Sequence, residues 1–180
     1  METTEFARFV AEQQETDADA EMDRAQMRDE WLTELASLYR KIVAFLQDYI
    51  SAGSISCDYA KIEVTEPEIG TYSADRMDIG IGRQHISLVP VGTFLIGCRG
   101  RVDVEGSAGR AQILLVKERA KSAADLIKVA VSIKGSAFPS PPAQQPISWA
   151  WKILTITVPK RFVDLDKESF FALLMEIANA

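Results

Sequence analysis

Between residues 25 and 51 the apolar residues return on a helical period. Leu32, Leu35, Tyr39, Ile42, Leu46 and Tyr49 stand 3, 4, 3, 4 and 3 apart, and Trp31, Leu38, Val43, Phe45 and Ile50 widen the stripe. Thr33, Glu34, Ser37, Arg40, Lys41, Ala44, Gln47 and Asp48 take the opposite side. The pattern predicts one amphipathic helix of about seven turns, about 40 Å long at 1.5 Å per residue. Gly53 follows as its stop. The stripe is broader than a coiled-coil seam and the heptads end at Gly53, so the helix is expected to cover a sheet or core.

From residue 57 to 159 that period gives way to short alternating runs between glycine-bearing turns. Ile62 and Val64 share a face; Met77, Ile79 and Ile81 alternate with Asp78, Gly80 and Gly82; His85, Ser87, Val89 and Val91 oppose Ile86 and Leu88. Over 93–105, Phe94, Ile96, Cys98, Val102 and Val104 are expected on one side and Arg99, Arg101, Asp103 and Glu105 on the other. Residues 106–109 read as a hairpin turn. Residues 111–116 are apolar on both faces and are expected in the middle of a sheet, and 149–158, again apolar on both faces, read as the last strand. Ile127, Val129, Val131 and Ile133 predict a further strand, and residues 118–126 fit either a short helix or a connection. Pro139, Pro141, Pro142 and Pro146 mark a loop that cannot join a sheet ladder. Asp166 is placed to cap a closing helix that buries Phe170, Phe171, Leu173, Leu174 and Ile177.

Parallel neighbours need crossovers of a dozen or more residues, which these spacings do not supply. The expected fold is therefore α+β: a mostly antiparallel sheet of about six to seven strands, one face covered by a long N-terminal helix (25–51) and a C-terminal helix (166–179).

The 180 residues are 47% hydrophobic and 26% charged, the balance of an ordinary globular chain with one core. Charge is uneven. Residues 1–34 hold eleven acids and three arginines, 3 − 11 = −8, whereas the remaining 146 residues hold 17 basic and 15 acidic groups, 17 − 15 = +2. Residues 11–23 have almost no apolar side chain to bury, so 1–24 are expected to form an acidic arm, helical or partly disordered, on a single α+β domain over 25–180. An acidic arm repels phosphate backbones and the body lacks a basic excess, so nucleic acid is disfavoured as a partner. No apolar run reaches the roughly 20 residues of a membrane-spanning helix. The acidic opening Met1-Glu2-Thr3-Thr4-Glu5 is unlike a secretory signal, and the expected location is cytoplasmic.

Chemical motifs are sparse. Cys57 and Cys98 are isolated, and one histidine with two cysteines makes no standard zinc set, so neither a metal nor a cofactor is expected. Gly80-Ile81-Gly82 leads into a strand, where a phosphate loop would lead into a helix. His85, the single histidine, is the candidate acid–base group, with Asp78 and Arg83 near it in sequence, against the plainer reading of an ordinary strand residue. Arg99 and Arg101 are the candidate grip for a carboxylate or phosphate, against the plainer reading of ion pairs on a wet sheet face. Trp149 and Trp151 share a face and suit either a partner hot spot or core.

With no motif for a nucleophile, metal or phosphate loop, the expected function is a non-enzymatic interaction protein meeting a protein partner through its acidic arm or polar sheet face. The alternatives are a small enzyme acting on an anionic small molecule through His85 and the arginines, and a structural homo-oligomer subunit.

Overall fold

The structure is a computed structural model that describes residues 2–93, 97–122, 125–126, 147–156 and 158–178. Helix α1 (Glu2–Ser51) is followed by seven strands: β1 (Ile55–Glu66), β2 (Gly70–Ile81), β3 (Gln84–Gly92), β4 (Cys98–Glu105), β5 (Arg110–Lys117), β6 (Trp149–Leu154) and β7 (Phe162–Asp164). Helix α2 (Lys167–Ala178) closes the chain. The strands form one sheet in the order β1-β2-β3-β4-β5-β6-β7, and every neighbouring pair is antiparallel. Apart from residues 118–148 between β5 and β6, the connections of this meander are short, in keeping with the spacing of the alternating runs.

Both helices lie on one face of the sheet, as the apolar periodicity requires. From α1, Trp31, Leu35, Leu38, Tyr39, Ile42 and Leu46 are buried against Met77, Ile79, Ile86, Leu88, Val102, Val104, Ile113 and Leu115 of the strands. Phe170, Leu173, Leu174 and Ile177 of α2 complete that core. The two helices touch through Phe45 and Phe170, whose rings lie 6.2 Å apart, and through Tyr49 and Phe171 at 5.8 Å. The Asp166 carboxylate accepts the Ser169 N–H at 2.8 Å while Ser169 Oγ accepts the Asp166 N–H at 3.0 Å, a reciprocal cap on α2.

On the far face, Leu114, Val116, Ala120, Leu154 and Phe162 form a second, smaller buried cluster at the β5–β7 end. This is why β5 and β6 read as apolar on both sides. The strand expected over 149–158 is shorter, since β6 stops at Leu154, and β7 (Phe162–Asp164) lies beyond that run as a strand the alternation did not predict. Residues 118–126 form neither a full helix nor a strand among the described residues; Ser122 makes one isolated bridge to Arg161. The strand expected over 127–133 and the proline loop fall outside the described residues.

Two buried phenols give the fold a pH limit. Tyr39 donates to the Asp75 carbonyl at 2.7 Å, and Tyr72 donates to Glu66 Oε1 at 2.5 Å. Burial lifts both well above the ordinary value near 10, reinforced for Tyr39 by the charge of Asp75 and for Tyr72 by its hydrogen bond to Glu66. A folded-state pKa raised above the unfolded one contributes stability that is whole below pH 10 and lost as pH climbs through the folded values. We expect urea unfolding at stepped pH to show falling stability above about pH 10. The Tyr39→Phe, Tyr72→Phe double variant should flatten that fall, and an unchanged slope would remove these phenols as its cause.

Candidate functional site

His85, the second residue of β3, stands exposed on the far face and pairs with Gly80 across the ladder. Asp78 lies on the same face, opposite Ser87. It is fully engaged: Arg76 donates through Nε at 3.0 Å and Nη2 at 2.7 Å to one oxygen, and Ser87 Oγ donates at 2.6 Å to the other. Partial burial pushes the Asp78 carboxyl up, but these hydrogen bonds and the Arg76 charge outweigh it and leave the group below its ordinary value. The Ser87 hydroxyl donates to Asp78 and not to His85, so the three residues do not form the nucleophile–base–carboxylate order of a hydrolase triad. Arg83 sits exposed in the β2–β3 turn. The far face thus brings His85 and Asp78 together without making Asp78 a free base.

The four charged residues expected on one face of β4 are split. A bulge between Cys98 and Gly100 shifts the register: Cys98 pairs with Val116 of the far-face cluster, and Gly100 pairs with Leu115 of the helix-covered core. Arg99 is the extra residue. Cys98 therefore does not share a face with Val102 and Val104. Arg101 stays on the far face, where Nε and Nη2 clasp the two oxygens of Asp103 at 2.6 and 2.7 Å, a fork-to-fork pair along one strand. Arg99 instead stacks on Trp149, its guanidinium carbon 4.8 Å from the ring centroid. Glycine at the bulge admits a close neighbour. A side chain at Gly100 would stand 2.2 Å from Cζ3 of Trp31, so the indole lies directly on glycine backbone.

Trp151 is buried with its ring 6.1 Å from that of Trp31, whereas Trp149 is half-buried under Arg99. Both the Trp31 and Trp151 indole N–H groups are buried without an acceptor; the Trp31 N–H approaches the Tyr72 hydroxyl but closes no hydrogen bond. Beside them runs an open groove of about 960 Å³ between α1 and the β3–β4 end, lined by Met22, Met27, Trp31, Thr93, Arg99 and Leu115 among others. Thr93 in that lining is held by Glu66, a buried carboxylate that accepts from Thr93 N at 2.6 Å, from Thr93 Oγ1 at 2.9 Å and from Tyr72.

Sequence reasoning missed a feature at the other end of α1. The helix runs unbroken from Glu2, and Trp31 is the first buried residue among those of its side chains that are described. Phe6, Phe9 and Val10 are 67%, 56% and 37% exposed. Phe6 precedes Trp31 by 31 − 6 = 25 residues, about seven turns at 3.6 residues each, so the trio lies on the helix face that later packs on the sheet. The described side chains around it, Glu5, Arg8, Gln13, Gln14 and Asp17 among them, are also exposed. The 3-then-1 spacing of the trio was the available signal, hidden among acids.

Among the described residues no three His, Cys, Asp or Glu side chains gather in a way that could hold a metal ion. No described helix is long and apolar enough to cross a membrane. No family model, no curated protein and no solved structure matches this chain.

Proposed function

We propose that this is a non-enzymatic interaction protein whose acidic N-terminal arm, residues 1–24, seats in an apolar groove with a basic rim on a partner protein. The observation that carries the reading is the trio Phe6, Phe9 and Val10, exposed and in phase with the core stripe on a helix that runs 29 residues (2–30), about 44 Å at 1.5 Å each, before Trp31, its first buried side chain among the described residues. Large apolar side chains presented at i, i+3 and i+4 are the anchors by which a helix lies in a groove. The charge supports a basic partner: residues 1–24 hold two arginines and eight acids, 2 − 8 = −6, while the rest of the chain is balanced, 18 − 18 = 0, so the arm repels a second copy of itself and attracts the opposite sign.

The test is positional. A photo-crosslinking side chain is placed at Phe9 of the full-length chain, or at exposed Glu63 on β1, inside its own cells. A single basic protein should be captured from position 9, be absent from position 63, and be lost when Phe6→Asp is added. Equal capture from both positions, or capture indifferent to Phe6→Asp, rejects the arm as the binding element. Phe6 is exposed, so the substitution should leave the circular dichroism spectrum and the unfolding midpoint unchanged.

A further inference from the structure

On the far face, three basic side chains from three elements meet at one depression. Arg101 of β4, Arg110 at the start of β5 and Lys160 of the β6–β7 connection line a cavity of about 250 Å³, together with Asp103, Gln112 and Thr155. Asp103 is the one acid in that lining, and both its oxygens are occupied by Arg101 Nε and Nη2. That pair fixes the plane of the Arg101 guanidinium and leaves Nη1 without a described partner. Arg110 reaches Glu105 only at 3.4 Å, with its own side chain 77% exposed. Lys160 makes no ion pair with a described residue. Even with Glu105 counted at the rim, cations exceed acids three to two.

We propose that this depression is an oxyanion site that takes a phosphate group, free or as a monoester. Basic side chains lining one depression from three elements suit a tetrahedral dianion with several acceptor oxygens, whereas a carboxylate is satisfied by one planar fork such as the one Arg101 already makes with Asp103. Leu154 and Ile156 add an apolar border on which the organic part of an ester can rest. The site shares no residue with the arm and stands or falls separately from it. It also does without Arg99, which the β4 bulge carries to the other side of the sheet.

The experiment is an amide NMR titration of the full chain with inorganic phosphate, run beside sodium chloride at matched ionic strength, phenyl phosphate and acetate. Phosphate should give saturable shifts confined to the surroundings of Arg101, Arg110, Gln112, Thr155 and Lys160. Arg110→Ala and Lys160→Ala, both at exposed positions, should each weaken binding about five- to tenfold. Arg99→Ala should leave it unchanged. Tighter phenyl phosphate identifies an ester as the ligand and equal affinity identifies the bare anion; both support the site. Shifts that chloride reproduces, acetate binding as tightly as phosphate, or an Arg110→Ala, Lys160→Ala double variant that still saturates would each overturn it.

Discussion

Replacing Trp31 by alanine is expected to destabilise the chain by about 3–5 kcal/mol, the range for deleting a fully buried large aromatic. For a chain of this size that lowers the melting temperature by roughly 6–20 °C. The expectation rests on what surrounds the ring. Trp31 is 2% exposed, lies on the bare backbone of Gly100, and meets Trp151 at 6.1 Å. It is where α1 first engages the sheet, and rigid glycine backbone beneath it cannot move in to fill the void. Trp31→Phe should cost less, because phenylalanine keeps much of the ring contact and removes an indole N–H that has no acceptor. Urea unfolding followed by circular dichroism measures both. An alanine variant within 1 kcal/mol of the parent would mean that α1 is not anchored at this point.

Glu66→Ala is the second large effect. The carboxylate is 4% exposed and accepts from the Thr93 backbone, the Thr93 hydroxyl and the Tyr72 hydroxyl at 2.5–2.9 Å. Gly92 has φ +133°, and a Cβ there would fall 2.4 Å from the Glu66 carboxyl carbon, so the β3 end is shaped around this one group. Its removal strands the buried Tyr72 hydroxyl at about 1–3 kcal/mol and the part-buried Thr93 N–H and hydroxyl at less each, for roughly 2–5 kcal/mol in all. Glu66→Gln keeps one acceptor oxygen and should fall between. Faster hydrogen exchange at the Thr93 amide would locate the damage; an unchanged Thr93 amide in a destabilised Glu66→Ala protein would contradict this assignment.

The parts of the fold written as periodicity were legible. The stripe from Leu32 to Tyr49 predicts the burial of Leu35, Tyr39, Ile42 and Leu46, and the double-sided apolarity of residues 111–116 predicts a central strand with a core on each face. The β4 bulge was not legible, because Arg99, Arg101, Asp103 and Glu105 alternate without a break in the sequence. The only mark is Gly100 among them, and what makes it necessary, the Trp31 ring, comes from 69 residues earlier (100 − 31). The arm trio escaped for the opposite reason. Its spacing is local, but its meaning depends on a phase match with residues 25 positions away. Lys160 stands in a connection, where no periodicity assigns a face, and only the closure of β6 on β7 brings it beside Arg101 and Arg110.

The central claim is that the arm binds a basic partner through Phe6, Phe9 and Val10. Native mass spectrometry of the chain gently purified from its own cells tests it most directly, run beside the Phe6→Asp, Phe9→Asp variant. The account predicts a stoichiometric second, basic chain on the parent protein, released by raised salt and missing from the variant. A bare chain, a complex with only a second copy of itself, or a partner retained by the variant would contradict it.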